Sequence, residues 1–407
     1  MLKQKNERNE VTTMAKEDSI VIVGMARTPM GSFMGGLSPL SASDLGKCAI
    51  EEALKRAGVK GDDVDEVLMG CVVQAGQGQN PARQAMRKAG IPDKTGAATI
   101  NKVCGSGMKS VMIAKDSILS GSNNIVVAGG MESMTNAPYG LMKARSGYRM
   151  LHEKIIDLLF KDGLEEASTG GGMGSYGDAT AVKYNVTREE MDTFAIESLA
   201  RANRAIKDGD FKDEIIPVVI ADKKGDITIS EDECSKGAKP DKIPTLKPAF
   251  SKDGRVTAAT SSSIADGAAA LVLMRRSEAE KRGIKIIAEI KAQATHSQEP
   301  EWFTTAPVGA VKKVLEKAGW AKDEVDLYEL NEAFAVVTMV AMKELGLPHE
   351  KVNVNGGACA LGHPIGCSGA RLIVTLISAL QKRGKKKGVA ALCIGGGEAV
   401  SVAIELA

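Results

Sequence analysis

Two stretches decide how this chain is built: AIEEALKRAGVKGDDVDEVLMG at 49–70 and AVKKVLEKAGWAKDEVDLYELN at 310–331. They align without a gap at a constant offset of 261 residues, with Ala49/Ala310, Leu54/Leu315, Ala57/Ala318, Gly58/Gly319, Asp62/Asp323, Val64/Val325 and Asp65/Asp326 identical. Each reads as an amphipathic helix stopped by a glycine and followed by a strand. Further along, Ser106-Gly107 is echoed by Ser368-Gly369, and VVAGGMES (126–133) by LCIGGGEA (392–399) in its Gly-Gly and Glu. Matches in this order and register imply two copies of one fold. Two like halves packed face to face would bring their loops into one shared cleft.

Around the first copy, apolar runs and amphipathic segments alternate. SIVIVGMA (19–26) reads as a buried strand, and 41–58 as a helix with Leu45, Cys48, Ala49, Leu54 and Ala57 on one face. Strands are expected at 64–73, 97–103 and 124–130, and helices at 82–90 and 106–120. Such alternation predicts an α/β fold with a largely parallel sheet. Between the copies lies a segment of different character. It holds one clear helix, 188–208, opened by a Thr187–Glu190 capping box. Over 222–255 it carries Lys223, Lys224, Lys236, Lys239, Lys242, Lys247, Lys252 and Arg255. Singly these are solvated side chains; as a cluster they could hold the phosphates of a long ligand. The run Lys382 to Lys387 reads as a solvated turn.

Composition narrows the function. The chain has 407 residues, enough for two or three domains, with 53 basic and 51 acidic residues and a net charge of +2. That balance argues against nucleic acid or an acidic membrane as the main partner. Aromatics at 3% are too few for a base-stacking platform. The 44 glycines point to tight turns and close backbone approach. Residues 1–17 are polar and read as a leader with no secretory h-region, and no stretch is apolar enough to span a membrane. Seven scattered cysteines and four histidines give neither a zinc pattern nor a disulfide framework, so free thiols in a reducing compartment, the cytoplasm, are expected.

Several residues could carry chemistry. Cys104, in INKVCGSGMKS, stands between a strand and a helix, where N–H groups and the helix dipole would lower its thiol pKa. It could equally be a buried structural cysteine, or part of a phosphate-binding turn at Gly105 and Gly107. His363 is framed by glycine and proline in NGGACALGHPIGCSGAR (355–371), a constrained loop suited to a general base or to a backbone-bonded histidine. Cys393 lies in ALCIGGGEA before a glycine turn. Asn331 opens NEAF (331–334), where an asparagine is ordinarily a helix N-cap. His152, His296 and His349 lack any such frame.

CGSG, NEAF, GGACALGHPIGCSG and CIGGGEA, in this order on a duplicated α/β chain, resemble the thiolase family from about residue 19 to the C-terminus. The resemblance implies a duplicated five-layered αβαβα core of two five-stranded halves with an inserted loop domain. On this chain that places an N-terminal core at 18–134 and 266–284, the loop domain at 135–265 and a C-terminal core at 285–407. It also implies roles. Cys104 would be the nucleophile that carries the acetyl group, activated by His363, and Cys393 the acid/base that takes an α-proton. Asn331 would hold a water in one oxyanion hole, and the N–H groups of Cys104 and Gly395 would form the other. Leu164, Met173, Phe250, Ala258 and Ser262 would surround the pantetheine of coenzyme A, with Phe303 and Phe334 at the acyl pocket.

The implied activity is an acyltransferase reaction: Claisen condensation of two acetyl-CoA to acetoacetyl-CoA, and the reverse thiolysis. Coenzyme A is substrate and product, and no metal or redox cofactor is implied. The family pattern is altered at Gly172, where many biosynthetic members have His, at Thr260, where they have Asn, and at Phe303-Thr304, which replaces Met-Gly. Phe303 resembles members that also accept 2-methylacetoacetyl-CoA. A degradative 3-ketoacyl-CoA thiolase is therefore the second reading, a non-catalytic acyl-CoA or lipid-binding relative the third, and a dehydrogenase the fourth. Family members are homotetramers or homodimers. The chain ends IELA, without a peroxisomal signal.

Overall fold

The computed structural model describes residues 18–407, so the leader expected over 1–17 lies outside the described residues. The first copy runs β1 (Ile20–Arg27), α1 (Ala42–Ala57), β2 (Glu66–Gly70), α2 (Pro81–Lys88), β3 (Gly96–Ile100), α3 (Ser106–Leu119) and β4 (Ile125–Ser133). An excursion carrying α4 (Met173–Lys183) and α5 (Arg188–Asp208) then returns to β5 (Ala265–Arg275). The second copy follows as β6 (Ala288–Ser297), α6 (Ala306–Ala318), β7 (Leu327–Leu330), α7 (Ala335–Leu345), α8 (Ser368–Lys382), β8 (Lys387–Ile394) and β9 (Glu398–Leu406).

Residues shared by the two copies do the same physical work in each. α1 ends on Gly58 at φ 66° and α6 on Gly319 at φ 67°, a left-handed cap that only glycine adopts without strain. Asp65 Oδ2 then accepts the N–H groups of Asn124 and Ile125 at 2.7 and 3.0 Å, fixing the start of β4. Asp326 Oδ2 does the same for Lys386 and Lys387 at 3.0 and 2.9 Å, at the start of β8.

The sheet order is β7-β8-β9-β6-β1-β5-β4-β2-β3, with Gly31–Ser32 paired to β5. This corrects the expectation of a largely parallel sheet. Only β2/β3, β2/β4 and β7/β8 pair parallel, and every other pairing of these strands is antiparallel. A hairpin as tight as β8–β9 leaves no other choice, since parallel neighbours need a crossover. The two halves are also joined: Val21 and Ile22 of β1 pair with Glu289 and Ala288 of β6, making one ten-stranded sheet. The strands expected at 64–73 and 97–103 are shorter because the chain leaves the sheet at Cys71 and Asn101 to build the site.

Three apolar clusters separate five layers. α1 and α2 cover the outer face of the first half, and α6 and α7 that of the second. α3 and α8 lie against each other as the middle layer, in a core shared by both halves. Their contact has no room for a side chain at two equivalent glycines. A Cβ on Gly107 would meet Ala370 N at 2.9 Å, and one on Gly369 would meet Met108 N at 2.3 Å. This reciprocal contact brings the N-termini of both helices, and the loops before them, to one seam.

In the excursion, the Thr187–Glu190 capping box is formed. Seven of the eight basic side chains over 222–255 are exposed, while Arg255 is tied to the Ala181 and Val186 carbonyls at 3.0 and 2.6 Å. The run at 382–387 is less free than expected: Arg383 donates to Asn355 Oδ1 at 3.0 Å and Lys387 pairs with Glu324 at 3.0 Å. Among the described residues no helix is long and apolar enough to cross a membrane.

Candidate active site

After β3 the chain turns tightly through Asn101–Cys104 into α3. Val103 takes φ 46°, a left-handed conformation that is strained for a β-branched residue and must be held by its neighbours. Val103 N–H donates to Asn101 Oδ1 at 3.0 Å, Lys102 N–H to Ser106 Oγ at 2.8 Å, and Ser106 Oγ to Val103 O at 2.6 Å. Cys104 is half-buried at the apex. Its sulfur faces its own N–H and that of Gly395, yet burial outweighs both donors and pushes the thiol up to about 11. The sequence expectation of a lowered pKa is thus reversed. Gly105, not Cys104, is the N-cap of α3, and desolvation acts more strongly than the nearby N–H groups.

His363 is buried at the seam. Its N–H donates to Ser263 O at 2.9 Å, and its Nδ1 lies 2.5 Å from Ser368 Oγ, in the first turn of α8. Ser368 has one hydroxyl proton and donates it to Pro364 O at 2.9 Å, so it accepts from Nδ1–H. That leaves the Nε2 lone pair unprotonated toward Asn331, whose Nδ2 is 3.4 Å away. Burial, helped by the Arg371 cation, lowers His363 to about 3, so the ring is a neutral acceptor at ordinary pH. Asn331 is not an N-cap: α7 begins four residues later with Phe334 as its cap. Its Oδ1 is buried without a protein partner.

Cys393, fully buried near the end of β8, lies in an apolar cluster with Val256, Phe303 and Phe334, against which Met173 and Tyr176 pack. Burial and the nearby Cys104 thiol raise its pKa well above the ordinary value. Met173 Sδ stands 3.2 Å from where a Cβ on Gly395 would lie. Phe303 meets Tyr176 edge-on at 6.1 Å, and Phe250 meets Phe334 edge-on at 6.0 Å. Leu164 sits on the other side, packed with Cys104, Val72, Val73 and Ile365. The stretch 260–263 threads between the loops: Ser262 N–H donates to Ala333 O at 2.9 Å and Ala335 N–H to Thr260 O at 2.8 Å. Ala258, just before it, is exposed.

Sequence reasoning missed Ser368 and Glu132. Glu132 is completely buried. Its Oε2 accepts Val72 N–H at 2.9 Å and Gly366 N–H at 2.8 Å, and its Oε1 accepts Val73 N–H at 3.2 Å. Burial raises this carboxyl to about 7 against the pull of these donors. It thereby fixes the His363 loop to the first half. The signal was present, since Glu132 and Glu398 are the repeated glutamates of VVAGGMES and LCIGGGEA.

A doubled α/β fold with two thiols, a neutral imidazole and converging backbone donors at the seam has the equipment of an acyl-transfer enzyme. Residues 20–277 match the thiolase N-terminal domain and residues 284–406 the thiolase C-terminal domain, and the chain belongs to the thiolase family. It is 48% identical over 388 residues to an acetyl-CoA acetyltransferase of Chromobacterium violaceum, covering 95% of this chain and 99% of the relative. It is 48% identical to acetyl-CoA acetyltransferase 2 of Arabidopsis thaliana, covering 95% of this chain and 97% of the relative. The crystal structure of the Bacillus anthracis acetyl-CoA acetyltransferase superposes with a TM-score of 0.94 at 40% identity, covering 96% of this chain and 99% of that one.

Proposed function

We propose that this enzyme is an acetyl-CoA acetyltransferase, condensing two acetyl-CoA to acetoacetyl-CoA and coenzyme A and catalysing the reverse thiolysis. The carrying observation is the approach of Cys393 to Cys104, with Ile365 of the His363 loop packed against Cys104 and the His363 Nε2 left unprotonated as an acceptor for Asn331. Because the Cys104 thiol is protonated at neutral pH, it needs a base, and His363 Nε2 takes its proton. The thiolate adds to the acetyl-CoA carbonyl, the bond to the coenzyme A sulfur breaks, and the departing coenzyme A thiolate takes the proton of the Cys393 thiol, leaving Cys393 as the thiolate and His363 protonated. Acetyl-Cys104 remains.

Cys393, as the thiolate, removes the α-proton of the second acetyl-CoA; its raised pKa makes it a strong enough base for a weak carbon acid. His363 and a water held by Asn331 steady the enolate oxygen. The enolate carbon attacks acetyl-Cys104, the oxyanion forms against the N–H groups of Cys104 and Gly395, and the Cys104 thiolate leaves and is reprotonated by His363, while Cys393 keeps the α-proton. Each such donor is typically worth about 3 kcal/mol.

In this reading residues 135–265 form the coenzyme A-binding loop domain between core domains 18–134 with 266–284 and 285–407. Leu164, Met173, Phe250, Ala258 and Ser262 contact pantetheine. No metal or redox cofactor enters. Free cysteines favour the cytoplasm. A homotetramer or homodimer is supported by two surfaces. One is the half-exposed edge strand β3. The other is an arm with Tyr139, Met142, Met150 and Leu151 all at least 67% exposed.

Thiolysis of acetoacetyl-CoA, 2-methylacetoacetyl-CoA and a 3-keto-C8-CoA, by wild type and Cys104→Ala, tests the reading. Cleavage of the C4 substrate, lost in the variant, is expected. Buried Phe303 beside Cys393 favours the second reading, and equal turnover of the methylated or C8 substrate would establish it. No cleavage by folded wild type would sink both.

A further inference from the structure

The two halves clasp one another through glutamates at matching places in the repeat. Glu132 stands two residues after Gly130, and Glu398 two residues after Gly396. Glu132 reaches into the second half and holds Gly366 N–H, in the loop that bears His363. Glu398 reaches into the first half, where Lys102 Nζ lies 2.6 Å from its Oε2, across 296 residues of sequence. Ser297 Oγ donates to the other oxygen of Glu398 at 3.2 Å, so the carboxylate is held from its own side as well.

Lys102 and Glu398 flank the two backbone donors offered above as an oxyanion hole. Lys102 is two residues before Cys104, in the turn strained at Val103, and Glu398 is three residues after Gly395. One donor comes from each half, so neither half alone sets their separation. The two turns also touch directly: a Cβ on Gly105 would lie 2.4 Å from Ile394 Cδ1. Van der Waals contact resists compression but not separation, whereas a charged pair resists separation. With 20% and 33% of its side chains exposed, the pair is partly shielded from water.

We propose that Lys102 and Glu398 are positioning residues whose ion pair holds the Cys104 and Gly395 N–H groups at the spacing needed to bind one oxyanion during acyl transfer at Cys104. This rests on the acetyl-transfer reading above. The readout is exchange of labelled coenzyme A into acetyl-CoA, which needs only formation and breakage of acetyl-Cys104. Wild type, Lys102→Met, Lys102→Gln, Glu398→Gln and the swap Lys102→Glu/Glu398→Lys are compared, with thermal unfolding followed for each. The single variants should lose about tenfold in kcat, a fraction of the loss on deleting an oxyanion donor outright. KM for acetyl-CoA should stay within about twofold, because the pair does not bind substrate. The swap should recover to within about threefold of wild type. Unchanged kcat in folded single variants would overturn the proposal, as would a swap no faster than the product of the two single losses. Wild type that exchanges no coenzyme A would instead overturn the acetyl-transfer reading, and this proposal with it.

Discussion

Ser368 Oγ, 2.5 Å from His363 Nδ1 and donating to Pro364 O, decides which nitrogen of His363 carries the proton. The serine sits at the start of α8, where the repeat places its counterpart Ser106 at the start of α3. Ser106 spends its hydroxyl on the Cys104 turn, donating to Val103 O. Two equivalent serines thus hold the Cys104 turn in one half and the His363 ring in the other.

Ser368→Ala should lower kcat for thiolysis about a hundredfold, the usual scale of a general base. The buried Nδ1–H loses its acceptor, and the tautomer with Nε2 protonated is no longer disfavoured. KM should change little, and Ser368→Thr should restore part of the rate. Full activity in the alanine variant would remove Ser368 from the mechanism.

Alkylation of Cys104 by iodoacetamide should report its raised thiol directly. Only the thiolate reacts, and with the pKa near 11 the rate should climb about tenfold per pH unit from 7 to 10. His363, lowered to about 3, should add no inflection in that range. A plateau below pH 9 would show that the N–H donors outweigh burial after all. The assay is pseudo-first-order loss of activity against pH, with labelling at Cys104 checked by mass spectrometry.

Glu132→Gln should destabilise the fold by about 2 kcal/mol in urea unfolding at pH 8. Both carboxylate oxygens accept backbone N–H groups, so an amide must turn an NH2 toward at least one donor. Activity should fall too, because Gly366 and the His363 loop lose their anchor. A variant as stable as wild type would mean that water or loop movement absorbs the mismatch.

Gly369→Ala should cost about 3 kcal/mol, since its Cβ would fall 2.3 Å from Met108 N and force the two middle helices apart. Gly96→Ala is the control: on the edge strand β3, its Cβ meets nothing closer than 3.9 Å. That change should stay within about 0.5 kcal/mol. Urea midpoints of the two variants check the contrast.

What is local in cause was readable from the chain. The boundaries of α1 and α6 follow from glycines that can take a left-handed cap, and the start of α5 from a capping box four residues long. The duplication was visible because equivalent residues such as Asp65 and Asp326 make the same bonds within each copy. Cys104 and His363 stood out for the glycines and proline that frame them, Cys393 for the glycine turn that follows it, and Asn331 for opening NEAF.

Only the tertiary structure decided matters that depend on approach through space. Strand direction at β5 and β9, the join between β1 and β6, and the bonding of Asn331 to His363 rather than to its own helix are of this kind. The direction of the Cys104 shift is another, because a local motif displays the donors while burial comes from Ile394 and Ile365, far away in sequence. The ties from Glu132 to Gly366 and from Lys102 to Glu398 span more than two hundred residues. The sequence carries both partners of each tie, but only the packing of α3 against α8 brings them within bonding distance.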